Sequence, residues 1–598
     1  MTWKKTSEKW VIPRNMLLQV LIPTLISSAA LSLSNIADAV TVGQRLGEKA
    51  LAAIGIVTPI YLFYNVIALS FGIGGSIVHA QLCARRKELL TPALFRKIAF
   101  WTGGISLFLI LAGNLFPDFL LRLLAASEED PELWTMCRQY ARPLLTASPI
   151  LLFSYMLYYF VQNDDDPRRA AQAMTAGGIL DVVLNILFVL VAGWGVRGAA
   201  LATITAQAVS LGILTVHFFS AKGTLHFRVI FGVKDDRPQE TRRYFRISFR
   251  TGFASSIGYV FQFCSQLLMN HLLMWAGARE LIPGTLYVAV YDLILNISYL
   301  AMPVYSAIGD AMQPAVATFS AERDQESLHM VEKMSLQLGI ALGTLVAAVL
   351  AILARPAALF FGFREETQLA VAVPAIRIFL ISAPLTGILS ILLRYCQARG
   401  ETWYTFIATA LREAVCLIPF TLFFGLRDPA RIWWVFPLTA ALSLLIFQLF
   451  LWTRKMKDAF KNVRACRIVM TNNNRELATA LAQVEEFCDE NRIPPGKAAQ
   501  IQLGVEELCA VTMQKAFTGR KDEYIQIVLV IEPGPQYVLH IRDSAPFFNP
   551  LDLRMEKARK DMEASIMDSI GVMMVRRQSK FIDYRNYQGF NTMTVVYE

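Results

Sequence analysis

Ile73-Gly74-Gly75-Ser76 through Ala84-Arg85-Arg86-Lys87 closes an apolar run and enters a charged loop. About 235 residues later, Ile308-Gly309-Asp310-Ala311 through Ala321-Glu322-Arg323-Asp324 does the same. Two further pairs keep that offset, allowing small gaps. Gln162-Asn163-Asp164 and Gln397-Ala398-Arg399 each end an apolar run before a short polar loop, and Trp194 to Thr203 answers Asp428 to Pro437, each opening the last run of its half. Identities are few, so what repeats is the pattern of runs, as expected of a duplicated unit. Two parallel halves are the economical reading.

The runs themselves are long. Windows of about 20 apolar residues, the length that crosses a bilayer, fall at approximately 16–41, 51–83, 98–116, 144–162, 171–191, 198–220, 251–276, 285–314, 335–354, 374–396, 404–425 and 432–453. This predicts a polytopic all-α membrane protein of twelve helices in two six-helix repeats. Composition agrees: 55% of the 598 residues are apolar and 17% charged, against roughly 25% charged in a soluble domain, and the mean hydropathy is +0.43. The average hides a break, because residues 454–598 carry 40 of the 104 charged side chains. A soluble C-terminal module is implied, and a secreted disulfide scaffold, a disordered chain and a single soluble enzyme are excluded. Cys83, Cys137, Cys264, Cys396, Cys416, Cys466, Cys488 and Cys509 are isolated, with neither a C-x-x-C nor a histidine at metal spacing.

Lys4, Lys5 and Lys9 precede the first run, but that run continues past signal-peptide length without a cleavage site, which suits a retained span. Basic residues mark one side of the membrane: Arg85, Arg86, Lys87, Arg96 and Lys97 after the second run, Lys222, Arg228, Lys234, Arg237, Arg242, Arg243 and Arg246 after the sixth, and Arg454, Lys455, Lys457 and Lys461 after the twelfth. Cytoplasmic loops retain such residues, so both termini and the soluble module are expected in the cytosol, at the plasma membrane. The boundaries follow: a cytosolic segment 1–15, lobes at 16–220 and 251–453 with a linker 221–250 between them, a basic linker 454–470 and a cytosolic α/β sandwich domain over 471–598. Duplicated bundles of this kind are a transporter architecture, with the substrate at the interface between halves and access alternating by rocking.

Residues 14–453 resemble the multidrug and toxic compound extrusion (MATE) family, within the group that includes polysaccharide and lipid-linked oligosaccharide flippases. The likeness is carried by Asn35-Ile36-Ala37-Asp38-Ala39-Val40-Thr41-Val42-Gly43 with Leu46-Gly47, by Gln162-Asn163-Asp164-Asp165-Asp166-Pro167, by Asp181 to Phe188, by Gly198 to Thr203, and by Trp433 to Pro437. The resemblance implies a proton- or sodium-coupled antiporter exporting small organic or drug-like cations. Under it Asp38 matches an acidic coupling residue. Independently, a carboxylate inside a span is costly and marks function by default, although a place near the membrane surface, or a cap at the Gly43 break, also accommodates it.

Asp181 and Asn185 stand one helical turn apart and share a face. The resembling family has this pair in the opposite order, so coupling through this helix competes with a structural role. Polar groups of the second half, Gln262 with Gln266 and Asp292 with Asn296 at i, i+4, and Arg412 with Glu413, are expected along the cavity together with Tyr64. Arg412 and Glu413, being adjacent, point to different faces of an α-helix and would need separate partners. Asp310 is expected near the cytoplasmic surface. Tyr61, Phe63, Phe71, Tyr287, Tyr291 and Tyr305 border the cleft and suit flat lipophilic cations, though aromatic side chains are ordinary in any span. A lipid-linked or anionic substrate is the alternative within the same fold, against which intramembrane cations are few. No G-x-x-x-x-G-K-[ST] occurs, so an ion gradient is the expected energy source, with no cofactor required.

The C-terminal module reads as a basic helix through Arg467, a helix from Arg475 to Glu490, a break at Pro494-Pro495-Gly496, a helix from Ala498 to Phe517, a hairpin of Tyr524–Glu532 and Gln536–Asp543 joined by Pro533-Gly534-Pro535, and a last strand from Asn591 to Tyr597. This order resembles the histidine-kinase-like ATPase fold in its anti-sigma-factor form. Leu503 to Glu507 matches the helix with the catalytic glutamate, Asp543 to Pro550 the adenine-recognising turn, and Tyr584 to Asn591 the closing hairpin. Of the resembling family's nucleotide site, Glu507, Asp543 and Gly571 are present. Val511 stands where that family has a magnesium-holding asparagine, and Val511 cannot ligate a hard cation; Ala545 replaces a glycine. The expectation is a degenerate domain that regulates transport or docks a cytosolic partner, with ATP binding doubtful and kinase or ATPase activity absent. A membrane sensor whose tail signals to a partner is the competing reading. His540, the tail's one histidine, falls in a strand rather than a phosphoacceptor helix, and no nucleic-acid partner is expected.

Overall fold

In the computed structural model the described residues are 10–598 apart from 85–89, 127, 129, 165, 220–224, 233–236, 278–282, 428, 456–463, 518–522, 533–535, 546–547, 553–561 and 588–589. Those exceptions include Arg85, Arg86, Lys87, Lys222, Lys234, Lys457, Lys461 and the Pro533-Gly534-Pro535 turn of the predicted hairpin.

Each of the twelve predicted stretches is helical. The first half runs α1 (Val11–Leu46), a single rod built of α2 (Glu48–Val57), α3 (Pro59–Ala68), a π-helical stretch Leu69–Ile73 and α4 (Gly74–Ala84), then α5 (Thr91–Leu115), α6 (Pro131–Thr146) with α7 (Ser148–Asn163), α8 (Pro167–Asn185) and α9 (Gly195–Thr215). The second half runs α10 (Pro238–Gly277), α11 (Gly284–Ala301) with α12 (Pro303–Ala321), α13 (Gln325–Ile352), α14 (Glu366–Ala398), α15 (Thr402–Ala410) with α16 (Leu417–Arg427), and α17 (Val435–Lys455). Proline opens many of these pieces, where its missing N–H is harmless. Gly47 turns the chain between α1 and α2 at φ +80°, and Asp130 caps α6 by accepting from the N–H groups of Glu132 and Leu133.

Among the described residues nine helices are long and apolar enough to cross a membrane, and ten if α6 and α7, bent by 56° against each other, count as one span. The expected twelve is therefore reached by helices but not by apolar spans. In α1 Val11–Ile26 forms a shorter apolar stretch, and serines, Asn35 and Asp38 follow it in the sequence. In α10 the first turns carry Glu240, Arg242, Arg243, Arg246 and Arg250, and glutamines and Asn270 dilute the rest.

The halves interlock rather than merely touch. The rod α2–α4 leaves its own lobe to pack α2 on α11 and its π stretch and α4 on α10, while α1 lies along α12. Glycine permits these approaches: a Cβ on Gly74 would stand 2.1 Å from the Ser248 carbonyl oxygen, and one on Gly43 would stand 2.1 Å from that of Phe361.

Beyond α17 lies a five-stranded antiparallel sheet, β1 (Arg464–Thr471), β2 (Tyr524–Glu532), β3 (Gln536–Asp543), β4 (Phe581–Tyr587) and β5 (Phe590–Tyr597), in the order β1-β2-β3-β5-β4. The helices α18 (Asn474–Glu490), α19 (Pro495–Lys515) and α20 (Met562–Gln578) complete the domain. Ile527, Ile541 and Met593 are opposed across neighbouring strands and bury against Val484, Val505 and Leu508. Two predictions are corrected here. Of the stretch read as a basic helix through Arg467, residues 456–463 lie outside the described residues and Arg464 to Arg467 open β1, in which Ile468 and Met470 alternate with half-buried neighbours and meet the core at a period of two. The other is α20, absent from the sequence reading, which packs on α19.

Candidate functional site

The tail-proximal ends of the helices define one end of the bundle, and the turns after α1 and before α11 belong to the far end. At the far end the halves are pressed together. Gln44 donates through Nε2 to the carbonyls of Leu359 (3.1 Å) and Phe360 (2.7 Å). Asn270 on α10 donates to the Gly55 carbonyl on α2 at 3.2 Å.

Asp292 lies just inside this seal. It is 4% exposed on α11, and a Cβ on Gly55 would stand 3.1 Å from its own, so the glycine is what lets α2 close over the carboxylate. Asn296, one turn on, donates to the Asp292 carboxylate (3.0 Å) and to its backbone carbonyl (2.9 Å), giving the shared face expected of this pair. Gln266 is buried, and its Nε2 has no hydrogen-bond partner among the described residues. Gln262 is half-buried one turn earlier on α10.

Arg412 and Glu413 sit in a π-helical stretch, Leu411–Cys416, and pair with each other: Arg412 Nη2 and Nε stand 2.5 and 2.7 Å from Glu413 Oε1. The expected separation of their partners is thus overturned, because the long Arg412 side chain folds back onto the neighbouring carboxylate. The backbone carbonyl of Glu413 accepts from Ser265 Oγ on α10.

In the first lobe Asn185 donates to the Asp181 carboxylate (3.4 Å) and carbonyl (3.2 Å) on α8, beside α1. Asp38 lies on α1; its side chain is outside the described residues. Tyr64 is fully buried within the lobe, its hydroxyl donating to the Leu144 carbonyl at 3.0 Å. Asp310 is half-exposed at the tail-proximal end and pairs with Arg394 (3.4 Å). An apolar crevice of about 760 Å³ runs between the lobes beside α3, α5 and α10, walled by Phe63, Phe108, Phe119 and Phe263.

In the C-terminal domain Glu507 packs against Gly571, whose missing Cβ would stand 1.8 Å from the Glu507 carboxylate. Asp543 accepts from Asn591 Nδ2 (2.8 Å) and from the Ala545 N–H (2.9 Å). Burial pushes its carboxyl up to about 6, and those two donors only partly offset this. Val511 is buried in the core.

Sequence reading missed how this domain meets the lobes. The outer face of its sheet rests on the turn between α12 and α13. Arg542 is ion-paired with Glu322 and lies 4.9 Å over the Phe319 ring, with only 2% of its side chain exposed. Gln526 donates to Asp324 (3.1 Å) and Ser327 (3.2 Å), and Arg467 reaches Asp324 (3.5 Å) and Glu326 (3.6 Å). Phe590 joins Ile12 and Met16 of α1 and Phe319 of α12 in one apolar cluster. The available signal was Gln526 and Arg542 interrupting the apolar strands β2 and β3, polar residues that a solvated face explains equally well.

The MatE family model matches residues 23–187 and again 258–423, copies beginning about 235 residues apart, and the histidine kinase-like ATPase domain model matches residues 470–597. A probable multidrug resistance protein of Bacillus subtilis is 22% identical over 455 residues, covering 73% of this chain and 93% of its own. An FAD transporter of Shewanella oneidensis is 26% identical over 201 residues, 33% of this chain and 44% of its own. A multidrug resistance MATE family transporter solved in an inward-facing conformation shares the fold at a TM-score of 0.64 and 22% identity, over 72% of this chain and 95% of that one. The chain belongs to the MatE family: it is a multi-pass membrane transporter of two repeats with a histidine kinase-like ATPase domain behind them.

Proposed function

We propose that this protein is a cation-driven antiporter, using protons or sodium, that exports small organic cations across the plasma membrane by alternating access. Both termini then face the cytosol, and no cofactor beyond the coupling ion is needed. The observation that carries this reading is the charge at the lobe interface: among the described residues the buried Asp292 carboxylate has the neutral amide of Asn296 on it and no cation, while Arg412 is neutralised by Glu413. A buried carboxylate without a counter-charge is a seat for a cation. Asp38 and Asp181 are assigned to ion coupling, and Gln262 and Gln266 to the cavity wall. Reconstituted vesicles test this: dye efflux driven by a proton or sodium gradient is expected, and Asp38→Asn and Asp292→Asn should each abolish it. Efflux at the wild-type rate in both variants would exclude these carboxylates from the mechanism.

An anionic substrate is the second reading, supported by the likeness to the FAD transporter. It predicts gradient-dependent movement of an anionic dinucleotide and none of the cationic dye. For the C-terminal domain we propose regulation of transport, supported by its buried ion pairs with the α12–α13 turn and by Val511 at the metal-ligand position. Calorimetry with ATP and magnesium on the full chain tests this, no heat of binding being expected.

A further inference from the structure

Four ionisable side chains that the transport reading does not use meet at the tail-proximal end of the first lobe. His79 comes from α4, Asp164 and Asp166 from the turn between α7 and α8, and His217 from the 3₁₀ turn that ends α9; all four are 5% exposed or less. His79 Nε2 lies 3.0 Å from Asp164 Oδ1, His217 Nε2 lies 2.9 Å from Asp164 Oδ2, and His217 Nδ1 lies 3.3 Å from Asp166 Oδ2. The Leu225 N–H donates to Asp164 Oδ2 at 3.0 Å.

Hydrogen-bond arithmetic fixes the proton count. A neutral imidazole has one N–H and one lone pair, and an ionised carboxylate only accepts. With both ring nitrogens of His217 against carboxylate oxygens, either the ring is an imidazolium or one carboxyl carries the proton. In both cases the quartet holds one proton more than two neutral histidines and two carboxylates would. Among the described residues the charged groups around it include Arg169, 3.4 Å from Asp166, and the neighbouring Arg168 and His226, while Arg96 of α5 is bonded to the Ile230 carbonyl.

From this geometry we infer that the His79–Asp164–His217–Asp166 quartet is a proton-binding site that latches the chain leading from the first lobe to the second. Leu225 is held by Asp164, and the chain continues from it through the short helix Phe227–Gly232 into α10. Removing the proton sets a ring lone pair against a carboxylate in a water-poor pocket, and the contact turns repulsive. Asp164 then loses a partner that orients it toward Leu225. Protonation closes the latch, and alkalinity on the tail side opens it. The site is separate from Asp38, Asp181 and Asp292 and holds whether or not those residues couple transport.

Hydrogen exchange of the full chain in detergent, followed on a peptide covering residues 225–230 and corrected for the intrinsic pH dependence, tests the inference. Between about pH 6 and about pH 8.5 the protection of the Leu225 amide should fall about tenfold or more. Asp166→Asn gives His217 Nδ1 a donor to accept from, so a neutral ring is satisfied, and protection should persist at both pH values. His217→Gln, permanently neutral, should show at pH 6 the low protection of the wild type at 8.5, with exchange in α13 unchanged as evidence of folding. Equal protection of the wild type at both pH values, or an Asp166→Asn variant that loses protection as the wild type does, would overturn the proposal.

Discussion

Asp543 shows how much one residue's surroundings alter its chemistry. In a solvated turn its carboxyl would titrate near 4; buried between Asn591 and the Ala545 N–H it titrates at about 6. The folded value lies above the unfolded one, so the native state binds the proton more tightly. Stability from this group is full below about pH 4, declines as pH rises to about 6 and is level above that, a change of roughly 2–3 kcal/mol for a mostly buried group. Asp543→Asn keeps the acceptor oxygen for both donors and has nothing to ionise. It should flatten the pH dependence of the domain's unfolding between about pH 4 and 6 and raise its stability at neutral pH by about 1–3 kcal/mol, read from exchange in β3 and β5 of the full chain. Asp543 was legible in the sequence as one acid in a recognisable turn. That its carboxylate is engaged by Asn591, 48 positions away, was not, because that contact exists only once β3 and β5 pair.

At the scale of elements, the second lobe is organised around Tyr305 on α12. Its ring fills a notch made by three glycines, Gly339 and Gly343 on α13 and Gly387 on α14; a Cβ on Gly343 or Gly387 would stand 2.0 or 2.2 Å from ring atoms. Gly343→Ala should therefore force the helices apart, costing about 1–3 kcal/mol, since overpacked cores cannot yield without shifting backbone. Tyr305→Leu should relieve most of that loss in the double variant, and thermal unfolding of the three proteins checks both statements by a double-mutant cycle. The helices were readable from apolar runs and proline breaks. The number of membrane crossings was less so, because α1 and α10 carry Asn35, Asp38, Gln262 and Asn270 among their apolar residues, and hydropathy averaged along a chain does not show whether a polar residue faces protein or lipid. Arg412 and Glu413 escaped likewise: a helix sends adjacent side chains apart, and only the conformation of the long Arg412 side chain brings its guanidinium back to the carboxylate. Arg464 to Arg467 were read as the end of a helix for want of their partner, since they form a strand only against β2.

For the whole molecule, the placement of the C-terminal domain is the consequential feature. Its sheet sits on the α12–α13 turn and on the start of α1, and those elements belong to different repeats. A domain held to both can bias their relative movement, which is what alternating access requires. Glu322→Lys would set two cations against each other where Arg542 is now paired, a loss of about 3–5 kcal/mol of buried pairing plus the new repulsion. The domain should then detach while remaining folded: proteolysis between Lys455 and Arg464 should accelerate severalfold, with β-sheet content unchanged. Cleavage at the wild-type rate would show that Arg542 and Glu322 do not hold it. The duplication, the membrane class, the family and the identity of the appended domain all followed from sequence, because hydropathy, offset and motif are properties of order along the chain. The pairing of Arg412 with Glu413, the closure of Gly55 over Asp292, the His79–Asp164–His217–Asp166 quartet and the seat of Arg542 on Glu322 were decided only by the tertiary structure. Most of these contacts join residues tens to hundreds of positions apart, and in each the energy depends on burial and on the groups brought alongside, neither of which exists until the helices and the sheet have packed.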